Sequence, residues 1–201
     1  MRRPASERTW AEPLRWNRAA EKAGEIRTVF CASMGDVFEA RPELDAVRQR
    51  LWKLIDATAS LRWLLLTKRP ETIDRAVTAV AWLGVTAETQ EQADRRIPLL
   101  LEQCSATGTG AFVSIEPLLE PLDLNLGGGF LFSSLAAKLE WVIVGDESGK
   151  RRRPAKLDWV RSIRDQCIEA DVPFFFKQWH DDAGKHEMPL LDGVRWGQVP
   201  W

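Results

Sequence analysis

The chain has 201 residues, about one domain on a scale of roughly 100–200 residues per domain, and can bury a core without disulfide or metal staples. Its 28 Lys and Arg against 29 Asp and Glu leave a formal charge of −1, which excludes a global basic field of the kind that coats nucleic acid. With 45% apolar and 28% charged residues it lies away from disordered compositions, and no apolar run approaches the roughly 18–20 residues of a membrane span. Met1–Glu7 lacks the apolar stretch of a secretory signal, so a soluble, cytoplasmic protein is expected.

Residues 1–25 carry charges, Trp10, Pro13 and Trp16 without a sustained period, and read as an irregular or partly helical arm docking through its two indoles. From Arg27 onward short apolar runs alternate with amphipathic stretches, the grammar of βα repeats. The runs are Thr28–Ser33, Leu61–Thr67, Ala81–Thr86, Ala111–Ile115, Trp141–Gly145 and Val172–Lys177. They predict an α/β fold with about six parallel strands over 26–180, followed by a C-terminal cap over 181–201. Between them, Leu44, Val47, Leu51, Leu54 and Ile55 lie on one helical stripe of about 15 residues. Pro70 suits the first turn of a helix carrying Ile73, Val77 and Val80. Thr89 and Gln92 fit a capping box opening a helix that Pro98 should kink or end. Asp158 opens another, with Trp159, Val160, Ile163 and Cys167 on one side. The segment Leu118–Lys138, around Gly127–Gly129, reads as an insertion or lid.

Ligands of parallel α/β folds bind beyond the carboxyl ends of the strands. Here those ends gather Asp36, Lys68, Arg69, Glu88, Glu116, Asp146, Glu147, Lys177 and Gln178, a polar rim that predicts a small-molecule site. In Gly145-Asp146-Glu147-Ser148-Gly149 the two glycines allow close backbone approach, and the carboxylates could accept from an amine or hydroxyl. Arg69 and the run Lys150–Arg153 could instead hold a small anion or a nucleic-acid end. Asp36, Glu88, Glu116 and Glu147 could hold Mg²⁺ or Mn²⁺ for a hydrolase, although their spacing follows no metal-site rule. Lys68 and Lys177 suggest ion pairs with these carboxylates more readily than a Schiff base. Cys31, Cys104 and Cys167 match neither a disulfide framework nor a Cys-x-x-Cys spacing, so no metal site is expected from them.

Several ordered blocks carry a resemblance: Ser33-Met34-Gly35-Asp36-Val37-Phe38, Leu65-Leu66-Thr67-Lys68-Arg69-Pro70-Glu71, Trp82-Leu83-Gly84-Val85-Thr86-Ala87-Glu88, Ser114-Ile115-Glu116-Pro117-Leu118-Leu119, Trp141–Gly149 and Phe174-Phe175-Phe176-Lys177-Gln178-Trp179. From about Glu12 to the C-terminus the chain resembles the phage gp-thirty-seven/gp-sixty-eight family, a domain of unknown function in phages and bacteria. Its members look like radical S-adenosylmethionine enzymes on a partial TIM-type barrel. The resemblance implies S-adenosylmethionine bound at the strand ends, at positions matching Asp36, Lys68, Glu88, Glu116, Glu147, Ser148, Lys177 and Gln178. It also implies a [4Fe–4S] cluster on an N-terminal Cys-x-x-Cys segment, which this sequence does not contain. The family's Gly-Gly-Glu-Ser-Gly reads Gly-Asp-Glu-Ser-Gly here. The expectation is a truncated member lacking the first βα unit, with no cofactor of its own and no radical chemistry as an isolated chain. Its first strand would be open to an N-terminal partner segment or a second copy, unless Trp10 and Trp16 cover it. The alternatives are a non-catalytic binding module and the divalent-metal hydrolase.

Overall fold

The computed structural model describes residues 5–31, 35–73, 81–126, 137–149 and 151–201. The elements, in order, are α1 (Glu7–Ala23), β1 (Arg27–Cys31), α2 (Asp45–Asp56), β2 (Leu61–Thr67), β3 (Ala81–Thr86), α3 (Gln90–Thr107), β4 (Gly110–Ile115), β5 (Trp141–Gly145), α4 (Leu157–Glu169), β6 (Phe174–Asp181), β7 (Gly184–Glu187) and a two-stranded ribbon of β8 (Leu190–Leu191) and β9 (Val194–Arg195). The seven longer strands form one sheet in sequential order, β1 to β7. β1 to β6 are parallel, and β7 returns antiparallel on β6. The sheet curls into a half-barrel: Lys177 Nζ on β6 lies 5.9 Å from the Phe30 ring on β1, although four strands separate them in the sheet order.

All six predicted strands are present, with β2, β3 and β5 at the predicted bounds. Their near-continuous apolar runs reflect strands covered on both faces. The convex face packs under α2, α3 and α4 through Leu51, Ile55, Ile97, Leu100, Ile163 and Cys167. The predicted 15-residue stripe resolves into a short 3-10 turn, Pro42–Leu44, running into α2. β7 was not legible in the sequence: its Gly-Lys-His-Glu is polar and almost wholly exposed, so no apolar alternation marks it.

Four expectations are revised. The N-terminal arm is a regular helix, capped by Ser6, whose side chain accepts from Thr9 N, and ended by Gly24 at φ +66°. It docks through Trp10, which packs on the core, while Trp16 stays exposed. Of the two outcomes expected at Pro98, a kink or an end, the end does not occur: α3 runs through it. The cost of roughly 3 kcal/mol for an interior proline is outweighed by Ile97, Leu100 and Leu101, all buried and each worth about 1.5–3 kcal/mol. After Pro70 the chain makes a single 3-10 turn and is extended at Ile73; Val77 and Val80 of the predicted helix lie outside the described residues, as do Gly127–Gly129, Ser33 and Lys150. Thr89 caps α3 by accepting from Gln92 N at 3.4 Å, but the reciprocal half of the box is missing, and Gln92 Oε1 is buried without a partner. No helix among the described residues is long and apolar enough to cross a membrane.

Candidate functional site

The concave face of the half-barrel has an aromatic floor. Alternation along the strands and the pairing register put Leu64, Trp82, Phe112, Trp141, Ile143 and Phe175 on this side, where they form a cluster separate from the main core. Two glycines make the packing possible. A Cβ on Gly84 would lie 2.2 Å from Phe112 Cζ, and one on Gly110 would lie 2.4 Å from the Trp82 ring. Each ring therefore fills the space above a glycine of the neighbouring strand. The C-terminal segment closes the floor: Trp141 Nε1 donates to Gln198 O at 2.9 Å, and Trp201 meets Trp82 and Trp141 edge-on at 5.4 and 5.2 Å.

Above this floor the strand ends form a polar mouth. Glu116 Oε2 accepts from Ser114 Oγ and from Lys177 Nζ, both at 3.0 Å. Its Oε1 makes no hydrogen bond among the described residues and faces Gly145, where a Cβ would stand only 2.7 Å away. Beside it Glu88 pairs with Lys68 through Oε1 and with Arg96 through Oε2 at 2.9 Å. Burial works to raise the Glu88 pKa, but the hydrogen bond from Lys68 and the charges of Lys68 and Arg96 outweigh it and hold the carboxyl below its ordinary range. Arg96 is 8% exposed and also donates to Thr86 O at 2.7 Å. The predicted ion pairing of both lysines is thus present, with Phe30, 40% exposed, beneath the Lys177 ammonium.

A second network joins β5 to β6. The pairing slips between Val144 and Gly145, a bulge that brings Gln178 opposite Gly145. Gln178 Nε2 donates to Asp146 O at 3.0 Å and Ser148 Oγ at 2.8 Å. Asp146 is not open to a ligand: its carboxylate accepts from His180 N at 2.7 Å and contacts His180 Nδ1 at 2.8 Å. Glu147 takes three hydrogen bonds from Arg153, through N, Nε and Nη2, which pull its pKa down to about 2. Asp36 is a loop brace, accepting from Thr67 Oγ1, Phe38 N and Lys68 N and pairing with Arg69 at 3.3 Å.

The predicted rim residues thus fall into separate groups. Lys68 with Glu88 and Lys177 with Glu116 line the mouth, Gln178 and Ser148 flank it, Asp36 pairs with Arg69 and accepts from the backbone N–H of Lys68, and Glu147 pairs with Arg153. No three His, Cys, Asp or Glu residues converge on one point among the described residues. Arg96 and His180 were missed by sequence reasoning, because one sits inside an amphipathic helix and the other lies 34 residues from its partner. The cysteines sit on β1, α3 and α4. Burial pushes their thiols up to about 12, 11 and 12 for Cys31, Cys104 and Cys167. Separate, protonated thiols do not fit an iron–sulfur cluster, whose ligands are clustered thiolates.

A family model described as a protein of unknown function, DUF5131, matches residues 1–200. The chain belongs to that family. No curated protein and no solved structure matches it. Within this DUF5131 chain, the Lys68–Glu88 and Lys177–Glu116 pairs stand at the strand ends, and Glu116 Oε1 is without a hydrogen-bond partner among the described residues.

Proposed function

We propose that this DUF5131 chain is a small-molecule-binding half-barrel of the radical S-adenosylmethionine type, related to partial TIM-type barrels, and that these 201 residues carry out no radical chemistry by themselves. The observation that carries the reading is Glu116 Oε1, an open acceptor above a glycine and beside Lys177. A ligand with an amino-acid end suits such a mouth: its ammonium would meet Glu116, its carboxylate would meet the Lys177 or Lys68 ammonium, and its apolar body would lie on Phe30. S-adenosylmethionine has this chemistry. When bound beside an iron–sulfur cluster it supplies a radical, but the cysteines of this chain are placed where they cannot hold that cluster together. A strand carrying cluster ligands would add to the outer edge of β1, which ends the sheet.

The anion-binding alternative is less well supported, since Arg69 and Arg153 already hold Asp36 and Glu147. The metal-hydrolase alternative lacks a convergent donor set among the described residues.

Calorimetric titration with S-adenosylmethionine tests the reading. Saturable binding is expected, weakened by about tenfold or more in Glu116→Gln and Lys177→Met, in line with the loss of one charged contact of about 1.4 kcal/mol or more. Absence of saturable binding would overturn the ligand assignment. Anaerobic reconstitution with iron and sulfide is expected to leave the chain without a stoichiometric cluster; stoichiometric iron together with cleavage of S-adenosylmethionine would overturn the claim that it does no radical chemistry.

A further inference from the structure

The pair Asp146–His180 plays no part in the binding proposed above, yet it has the construction of a proton-transfer group. Both side chains are nearly buried, 8% and 9% exposed. The Asp146 carboxylate receives two hydrogen bonds from one residue, the His180 backbone N–H at 2.7 Å and the ring Nδ1 at 2.8 Å. An ionised carboxylate only accepts, so the ring presents Nδ1–H to it, and in the neutral imidazole this tautomer leaves the lone pair on Nε2. That nitrogen has no hydrogen-bond partner among the described residues, and it is not among the sealed, unpartnered atoms. The Asp146 contacts at both the backbone N–H and Nδ1 fix the orientation of the ring. Its charged neighbours by contact, pairing and sequence include Asp146, just after β5, Lys185, its register partner on β7, which pairs with Glu187 at 3.2 Å, and Asp181 next in sequence, which is paired with His186 at 2.8 Å.

Its position links it to the mouth. Asp146 follows Gly145, over which Glu116 Oε1 lies. Gln178 bridges the two, with Cγ 3.0 Å from a Cβ placed on Gly145 and Nε2 on Asp146 O. We infer that His180 is a proton acceptor serving the ligand of this mouth, with Asp146 as its positioning residue. The step is a single proton transfer: a ligand O–H or N–H bond breaks, its electron pair stays on the ligand, and the proton binds Nε2. The imidazolium formed is stabilised by the Asp146 carboxylate and returns its proton to water. The inference rests on the proposed site but assigns it polar chemistry in addition to binding.

The chain has two histidines, so ¹⁵N-histidine spectra of the whole protein at pH 8 can be resolved and assigned with His186→Ala. The expected spectrum for His180 shows protonated Nδ1 and bare Nε2, with Asp146→Asn mixing the two tautomers. Diethyl pyrocarbonate is expected to carbethoxylate His180 in the wild type and to react severalfold more slowly in Asp146→Asn. Saturating S-adenosylmethionine should move the Nε2 resonance and protect it from the reagent. If the ligand binds by calorimetry and Nε2 neither moves nor is protected, the inference fails and the binding proposal stands. If the ligand does not bind, the binding proposal fails, and the wild-type spectrum and reagent decide the rest: a protonated or unreactive Nε2 overturns the proton-acceptor assignment, while a bare and reactive one sustains it.

Discussion

Gly84→Ala tests the concave floor most directly. The added Cβ would stand 2.2 Å from Phe112 Cζ and 2.4 Å from Cε1 and Cε2, against ordinary contacts of 3.4–4 Å, so the ring has to retreat by more than an ångström. It has nowhere to go. Phe112 is fully buried, its ring centroid is 6.0 Å from that of Trp141, and Gly84 pairs directly with Phe112 in the β3–β4 register. Overpacking of this kind costs about 1–3 kcal/mol, towards the upper end where a sealed ring must move by more than an ångström, and the roughly 0.4–1 kcal/mol regained because alanine restricts the unfolded chain leaves about 1–2 kcal/mol. For a chain of this size each kcal/mol lowers Tm by about 2–4 °C, so a fall of several degrees is expected by differential scanning calorimetry. Phe112→Leu alone leaves a partial cavity and also destabilises, but in the double variant the alanine methyl occupies vacated space. The two effects should therefore miss additivity by about 1 kcal/mol or more in the favourable direction. An unchanged Tm for Gly84→Ala, or strictly additive losses in the double variant, would refute the ring-over-glycine packing.

Two further outcomes follow from the titrating groups. Glu147 and Asp192 are held down to about 2 by hydrogen bonds from Arg153 and from Arg161 and Arg164 respectively. Since their folded pKa values lie below the ordinary values of 4.5 and 3.8, their stabilisation is present above those values and is lost as pH falls towards 2. Urea midpoints should drop across that window, and Glu147→Gln with Asp192→Asn should flatten the drop; both pairs are solvent-exposed, so the change is expected to be modest and reduced by salt. The cysteines give the second outcome: a thiol raised to about 12 is ionised to roughly one part in ten thousand at pH 8. Native protein should remain unalkylated by iodoacetamide in mass spectra while urea-unfolded protein takes up three labels, and rapid labelling of the folded chain would contradict the burial.

The sequence by itself determined the strands, the cover on their convex side and the polarity of their ends. Leu61–Thr67 and Ala81–Thr86 are recognisable because burial on both faces leaves a continuous apolar run, and the stripe through Leu51 and Ile55 is recognisable because a helix repeats its buried face every three to four residues. Such signals are local. Only the tertiary structure decided which charges meet, because that depends on sheet order, curl and one register slip. Lys177 reaches Glu116 from 61 residues away, Asp146 spends its carboxylate on His180, and Arg96 is drawn from a helix interior to brace Glu88. The proline in α3 belongs to the same class: propensity argues for a break, but the apolar face on either side has a sheet to bury against, and that burial is the larger free energy.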